Sequence, residues 1–204
     1  RGNLLAMGKL VSPAIKAKSL ILNPKSSAEY AMQQIVENTL NHILPNAAAI
    51  AAGVAEAEHI HQARVGLRRL RSALKHFSNW SSQIDPAWES QLAEIFRALG
   101  QSRDNDAIQD AVIPLIQKDC EFDLILPKET DTEIAQLLSQ PQTTRLFLSL
   151  LSFSYSENQS KSKLTKQVNK SLTKLYHKIL EDAAQFSTLT IELQHRSRKR
   201  VKQL

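Results

Sequence analysis

Apolar side chains recur every three or four positions along most of the chain, a spacing that places them on one side of an α-helix. The first such helix is predicted to begin at Ser26 or Ser27, either of which can cap its first turn, and to run until Pro45. We expect a kink or break at Pro45-Asn46, because proline has no backbone N–H to donate within a helix. The pattern therefore predicts an all-α fold that starts near Ser26.

The same spacing divides the rest of the chain into further helices. The most strongly patterned one covers about Glu56 to Trp80, and the next starts at Asp85-Pro86 and is weakened or ended by Gly100. The remaining predicted elements are a helix over 104–118 that Pro114 kinks or breaks, an apolar stretch interrupted by Pro141, a polar turn near 154–160, a lysine-rich helix to about Phe186, and a final helix that starts after Thr188 or Thr190. Pro127 and its acidic surroundings are the best candidate for a boundary between two halves.

Composition supports helices and excludes several classes of protein. The 204 residues suffice for one or two compact units, and only 5% of them are aromatic, which disfavours strands. The one cysteine, Cys120, can form neither an internal disulfide nor a zinc site, so we expect a reducing compartment, the cytoplasm. The chain has neither an apolar run of the roughly 20 residues that a membrane helix needs nor a secretory segment, and we expect a soluble protein. Because it begins at Arg1, we expect the native N-terminus to lie further upstream.

Charge is distributed unevenly along the chain. Residues 1–84 hold ten lysines and arginines against four acidic residues, a net +6, whereas residues 85–133 hold four against twelve, a net −8. Residues 134–204 hold twelve against four, a net +8. Two basic parts flank an acidic one, which indicates a polyanionic partner.

The segment HIHQARVGLRRLRSALKHF concentrates the basic residues on one helix face. At about 100° per residue, five side chains fall within roughly 80° of one another. These are His61, Arg64, Arg68, Arg71 and Lys75. Leu67, Leu70 and Leu74 fall on the opposite, core-facing side, and Arg69 lies between the two faces.

Two interpretations of this basic stripe compete. A charged helix face is often merely solvated, but such faces usually mix signs, because like charges four residues apart oppose a helix. This face repeats that unfavourable arrangement, and arginine can donate two parallel hydrogen bonds to phosphate oxygens. We therefore favour a phosphate-binding face.

The pattern recurs near the end of the chain, in QHRSRKRVKQL. His195, Arg198, Lys199 and Lys202 align with His61, Arg64, Val65 and Arg68, about 134 residues earlier, which suggests an internal duplication. A third acid-free run places Lys166, Lys170, Lys174 and Lys178 along one helical line. For this lysine row, simple solubilisation of the helix is the favoured alternative.

HIHQARVGLRRLRSALKHF and LGQSRDND are similar to the two signature stretches of the CHAD domain, the conserved histidine α-helical domain, and HRSRKRVKQL resembles its second histidine helix. The resemblance covers residues 26–204 and implies two helical bundles related by a pseudo-twofold, over about 26–126 and about 127–204. It also implies that inorganic polyphosphate is the ligand, bound in a central basic groove. The residues implied to contact the anion are His61, Arg64, Arg68, Arg69, Arg71, Lys75, Arg103, His195, Arg198, Lys199 and Lys202.

The sequence departs from the family pattern at its end, where further helices usually follow, so the second bundle is expected to be incomplete. Ser197 also stands where the family commonly has leucine, which predicts poorer packing. Residues 1–25 resemble the stretch that joins a CYTH triphosphatase domain to a following CHAD domain. We therefore expect a linker or the tail of a preceding domain there, and a parent protein that is a CYTH-CHAD fusion.

The leading hypothesis is a non-catalytic, cytoplasmic module that binds polyphosphate, with association with polyphosphate granules as a further expectation. Nucleic-acid binding is the main alternative, but the basic stripe carries no aromatic side chain for base stacking. Catalysis would need Mg²⁺-binding carboxylates or a phosphate loop, and we expect any triphosphatase activity in an upstream domain.

We expect no cofactor, no metal and no membrane association. Asp104 and Asp106 have no third ligand at a useful local spacing, and Asp104 is better explained as a helix cap. His61 and His195 are better explained as anion ligands than as proton shuttles, because no nucleophile is recognisable near them.

Overall fold

The computed structural model describes residues 12–111 and 131–201, with the side chains of 101–111 and 131–132 left aside. These ranges are helical as predicted, and their only β-type pairing is an isolated bridge between Ser27 and Lys163. The helices are α1 (Ala28–Ala51), α2 (Ala57–Phe77), α3 (Ala87–Ala111), α4 (Asp131–Ser139), α5 (Pro141–Ser154), α6 (Leu164–Ala184) and α7 (Ile191–Val201). Short 3-10 turns follow α2 at Ser78–Trp80 and α6 at Phe186–Thr188.

The chain forms two compact units. The first contains the residues up to Ile21 and Met32–Glu157, and the second contains Leu22–Ala31 and the residues from Asn158 onward. Helices α2 to α5 and most of α1 thus belong to the first unit, and α6 and α7 to the second. The boundary predicted near Pro127 lies outside the described residues and stays a prediction.

Helix α1 does not end at Pro45, so of the kink or break predicted at Pro45-Asn46 the break is wrong. Ser27 caps the helix as predicted, its hydroxyl accepting the Tyr30 N–H at 3.0 Å, and the helix continues to Ala51. Pro45 and Asn41 are exposed, so water can solvate the Asn41 carbonyl that proline leaves without its N–H donor. Asn46 adds support, because its Nδ2 donates to the His42 carbonyl at 2.7 Å.

Helix α3 does not end at Gly100 either. Gly100 was predicted to weaken or end this helix, and the predicted end is wrong. The helix runs from Ala87 to Ala111, so residues 104–111 of the separately predicted helix continue α3. Residues 112–130, which include Pro114, lie outside the described ranges.

The core of the first unit is built from one apolar stripe on each helix. Helix α2 contributes Leu67, Leu70 and Leu74, all at most 3% exposed, as its periodicity predicts. The other helices contribute further buried apolar residues, which include Met32, Val36, Leu40 and Ile43 of α1, Leu92, Ile95 and Leu99 of α3, and Leu146, Leu150 and Phe153 of α5. These contacts bury one side of α2 and leave its basic side outside the core.

The second unit is held by polar contacts as much as by apolar ones. The carboxylate of Glu29 is fully buried and accepts the backbone N–H groups of Gln159 and Ser160, each at 2.6 Å. Helices α6 and α7 bury only Leu164 and Ser197. An apolar strip on α6, formed by Leu172, Tyr176 and Leu180, is 43–50% exposed.

Candidate functional site

The position of α2 is fixed at its N-terminus by a histidine that cannot bind an anion. The Glu56 N–H donates to His59 Nδ1 at 3.0 Å, so the proton of the neutral ring is on Nε2, which donates to the Ser12 carbonyl at 2.8 Å. His59 is 1% exposed, and both of its ring nitrogens are occupied. This side chain connects the start of α2 to the described residues 12–21 before α1, which we call the N-terminal arm.

Arg64 and Arg71 lie on the flank of α2 that faces α3. Their guanidinium carbons lie 5.2 and 5.4 Å from the centroid of the Phe96 ring, within the range of a cation–π contact. Arg64 donates from Nη1 to the Leu99 carbonyl at 3.0 Å, and Arg71 donates from Nε and Nη2 to Glu89 Oε1 at 3.1 and 2.9 Å. Both arginines are therefore held in place, and the charge of Arg71 is already paired.

Gly100 makes the position of Arg64 possible. A Cβ atom at residue 100 would lie 3.0 Å from Arg64 Nη1, which is closer than most real Cβ contacts. The glycine leaves room for the guanidinium to reach the carbonyl of Leu99, the residue directly before it. Gly100, whose helix propensity is low, is thus part of the contact between α2 and α3.

The outer face of α2, which we define as His61, Arg68 and Lys75, is the part of the stripe that points away from the core. Arg68 and Lys75 are exposed and His61 is half-buried. Within the part of the chain that the structure describes, none of the three has a hydrogen bond or an ion pair. Their charges are not paired with described acidic groups.

Arg69 lies on the other flank of α2, which faces α1. Its Nη2 is 3.5 Å from Asn38 Oδ1, at the limit of a hydrogen bond, and its Nη1 is buried without a partner among the described residues. The predicted site residues of α2 are therefore divided among two flanks and the outer face.

The predicted cations of the C-terminal helix α7 are also exposed. His195, Arg198 and Lys199 lie on its solvent side, whereas Lys202 lies outside the described residues. Together with the exposed lysine row of α6, they give the second unit a basic surface of its own. That row is Lys166, Lys170, Lys174 and Lys178.

Ser197 and Arg200 connect α7 to α6 through Asp182. Ser197 is 6% exposed, with its hydroxyl 2.9 Å from Asp182 Oδ2, and Arg200 Nη1 donates to the same oxygen. The hydrogen bond from Arg200, and then that from Ser197, lower the pKa of Asp182 below its ordinary value. Ser197 thus makes a polar contact where leucine would make an apolar one.

Of the signature LGQSRDND, only the first two residues can be placed relative to the site, because the side chains of residues 101–106 are not described. Leu99 and Gly100 position Arg64, whereas the side chains of Arg103, Asp104 and Asp106 lie outside the described residues. Among the side chains that are described, no three His, Cys, Asp or Glu residues come together in a group that could hold a metal ion. No described helix is long and apolar enough to cross a membrane.

The family model of the CHAD domain matches residues 34–204. The chain belongs to the CHAD family. The match covers α2, α3 and α7, and with them every residue of the predicted site.

The fold agrees with that of a solved CHAD domain. The crystal structure of the CHAD domain from the plant Ricinus communis matches with a TM-score of 0.66 and 27% sequence identity. The match covers 92% of the present chain and 66% of the plant chain, so this chain spans just under two thirds of that relative's length. No curated protein gives a significant match.

The sequence did not reveal which groups hold the arginines. Phe96 and Leu99 follow the apolar period of α3, and Leu99 is buried. Phe96 is half-buried beneath the two guanidinium groups, and Glu89 approaches Arg71 from the first turn of α3. The excess of acidic over basic residues in 85–133 was the one sequence signal that an acidic side chain would pair with an arginine of α2.

Proposed function

We propose that this CHAD domain is a non-catalytic module that binds inorganic polyphosphate through the outer face of α2. One observation carries the proposal: Arg68 and Lys75 are exposed and unpaired among the described residues. They lie seven residues apart, two helical turns, or roughly 10.5 Å along the axis. A flexible chain of phosphates laid along α2 can contact both, and each contact releases counterions from the polymer.

Arg64 supports the same proposal from the α3 flank. Its Nη1 is committed to Leu99, but a guanidinium carries five N–H donors, and the other nitrogens have no described hydrogen-bond partner. Because Phe96 and Leu99 already fix the side chain, it loses less conformational entropy when a phosphate binds. Arg71 contributes less, since Glu89 competes with phosphate for it.

The arrangement favours polyphosphate over nucleic acid. Binding of single strands normally adds exposed aromatic rings on which bases stack. Phe96, the ring nearest to the arginines of α2, is half-buried beneath them. Charge without a stacking platform suits a polymer of phosphates alone.

The basic surface of the second unit is proposed as a further contact for the same polymer. His195, Arg198 and Lys199 are of the same residue types as the outer face of α2, and all three are exposed, as Arg68 and Lys75 are. We propose binding in the cytoplasm, at polyphosphate granules, with any triphosphatase chemistry in another domain of the parent protein.

The test is a titration of long-chain polyphosphate with the Arg68→Ala/Lys75→Ala double variant. The control is Lys25→Ala/Arg97→Ala, which removes one arginine and one lysine, both exposed, from outside the basic face of α2. We expect at least tenfold weaker binding for the first variant and less than threefold for the control. The slope of log affinity against log salt should shrink by roughly 1.4 if each lost contact counts as in a single-stranded nucleic acid.

Equal losses in the two variants would show that only net charge matters. Unchanged affinity in Arg68→Ala/Lys75→Ala would remove the outer face of α2 from the binding site.

A further inference from the structure

A cavity of about 460 Å³ lies between the N-terminal arm and α1, within the first unit. Pockets for small ligands have volumes of roughly 300–1,000 Å³. Its described lining is Ile15, Lys16, Lys18, Asn38, Asn41, His42 and Pro45. We call it the arm cavity. Its described lining shares no residue with the outer face of α2.

The arm cavity is built by specific hydrogen bonds. Asn46 pairs with the backbone of Ile15 in both directions, accepting its N–H at 3.0 Å and donating to its carbonyl at 2.9 Å. Ser12 lies three residues before Ile15, and its carbonyl accepts a hydrogen bond from His59 Nε2 at 2.8 Å. These hydrogen bonds fix the arm on either side of Pro13 and thereby position the wall of the cavity that contains Lys16 and Lys18.

By area the lining is mostly apolar, but the polar side chains that it includes are of kinds that bind anions. It contains two lysines and two asparagines, and no acidic residue stands among the described lining residues. Arg69 adds a third positive charge behind Asn38, whose Oδ1 lies 3.5 Å from its Nη2. An anion here would meet cationic and amide donors.

Two buried nitrogens, one on a residue that lines the cavity and one on a residue that contacts the lining, have no partner among the described residues. One is Nη1 of Arg69, and the other is Nδ1 of His42, a side chain that is 2% exposed. Gln62 donates from Nε2 to Glu58 at 2.7 Å, so its Oε1 accepts from His42 Nε2 at 2.8 Å. The ring proton thus lies on Nε2, and Nδ1 lies on the side of Gly66, 3.3 Å from where a Cβ atom of that residue would be. Unsatisfied buried polar atoms of this kind are uncommon, and each calls for an explanation such as a water or an ion.

We infer that the arm cavity is a second, independent binding site for a phosphoryl oxyanion, held by Lys16 and Lys18 with the amides of Asn38 and Asn41. Its volume accommodates a short oligophosphate, such as pyrophosphate, rather than a long chain. Arg69 supports Asn38 from behind and contributes its charge. The site does not depend on the outer face of α2, so either can exist without the other.

The test uses pyrophosphate as the probe and isothermal titration calorimetry on the whole chain. Lys16→Ala/Lys18→Ala removes two exposed cations from the cavity, and the control Lys25→Ala/Arg97→Ala removes two exposed cations that lie outside both the cavity and the outer face of α2. We expect the cavity variant to bind pyrophosphate at least tenfold more weakly and the control to stay within twofold of the wild type. Loss of equal size in both variants, or none in the cavity variant, would overturn the inference.

A second measurement locates the ligand without changing any charge. In an NMR titration of the wild type with pyrophosphate, the side-chain amides of Asn38 and Asn41 should shift in a saturable manner. Shifts confined to α2 or α7 would overturn the inference even if the affinities behaved as expected.

A free pyrophosphate and the end of a polyphosphate chain present the same terminal group. Long-chain polyphosphate distinguishes these sources when it is titrated into the Arg68→Ala/Lys75→Ala variant. Shifts of the Asn38 and Asn41 amides would show that chain ends enter the cavity. Shifts with pyrophosphate alone would assign the cavity to the free anion, and both results support an oxyanion site.

Discussion

Replacement of Gly66 by alanine tests the contact that holds α2 against α1. A Cβ atom at residue 66 would lie 2.5 Å from Ile43 Cγ1 and 3.3 Å from His42 Nδ1. Carbon atoms in optimal contact are about 3.5–4.0 Å apart, so the helices must separate by about 1 Å or Ile43 must leave its position. Ile43 is 1% exposed and has no solvent-facing space to enter.

The cost follows from overpacking set against helix propensity. Forcing an extra carbon into a filled core costs about 1–3 kcal/mol, and a contact as short as this one belongs at the upper end. Alanine recovers about 1 kcal/mol because it favours the helix more than glycine does. We expect Gly66→Ala to lower the free energy of unfolding of the first unit by about 2 kcal/mol.

The assay is urea unfolding followed by tryptophan fluorescence. The chain has two tryptophans, and both, Trp80 and Trp88, are buried in the first unit. The control is Ser72→Ala on the exposed side of α2, which changes helix propensity without a clash and should stabilise the unit by a few tenths of a kcal/mol. If Gly66→Ala were as stable as Ser72→Ala, the close approach of α1 and α2 would be refuted.

Three further predictions concern the Arg71–Glu89 pair and the contact between α6 and α7. Glu89→Gln should strengthen polyphosphate binding several-fold by releasing Arg71, and it should change stability by less than about 1 kcal/mol because the pair is part-exposed; weaker binding in a polyphosphate titration would contradict this. The pKa of Asp182 is lowered, so its ionised carboxylate should stabilise the α6–α7 contact fully down to about pH 4, and this stabilisation should be lost as the pH falls through the folded-state pKa. A carbon NMR titration of the Asp182 carboxyl group with a midpoint at or above the ordinary aspartate value would contradict this prediction. Amide hydrogens of α6 and α7 should exchange faster than those of α2, because the two helices bury only Leu164 and Ser197; equal protection in hydrogen-exchange mass spectrometry would be inconsistent with that light packing.

The faces of α2 could be predicted from sequence because they depend on local periodicity. Leu67, Leu70 and Leu74 are buried and Arg68 and Lys75 exposed, as a 3.6-residue repeat requires. The CHAD fold followed from the motif that this helix carries, and the family match confirms it.

What could not be predicted depends on contacts between helices. Pro45 and Gly100 have low helix propensity, but Pro45 faces solvent and Gly100 makes room for Arg64, so tertiary context decides. The pairing of Arg71 with Glu89 joins residues 18 positions apart on different helices, and no local pattern marks it. The arm cavity was missed for the same reason, since the N-terminal arm that forms one of its walls is held by Asn46 and His59 from two separate helices.

Selectivity between polymers tests the central claim most directly. The wild-type chain should be titrated with long-chain polyphosphate and with single-stranded RNA at matched phosphate concentration, across several salt concentrations. If the outer face of α2 is a polyphosphate site, polyphosphate should bind at least tenfold more tightly at every salt concentration. Equal affinity for both polymers, or a preference for RNA, would contradict a dedicated polyphosphate-binding module.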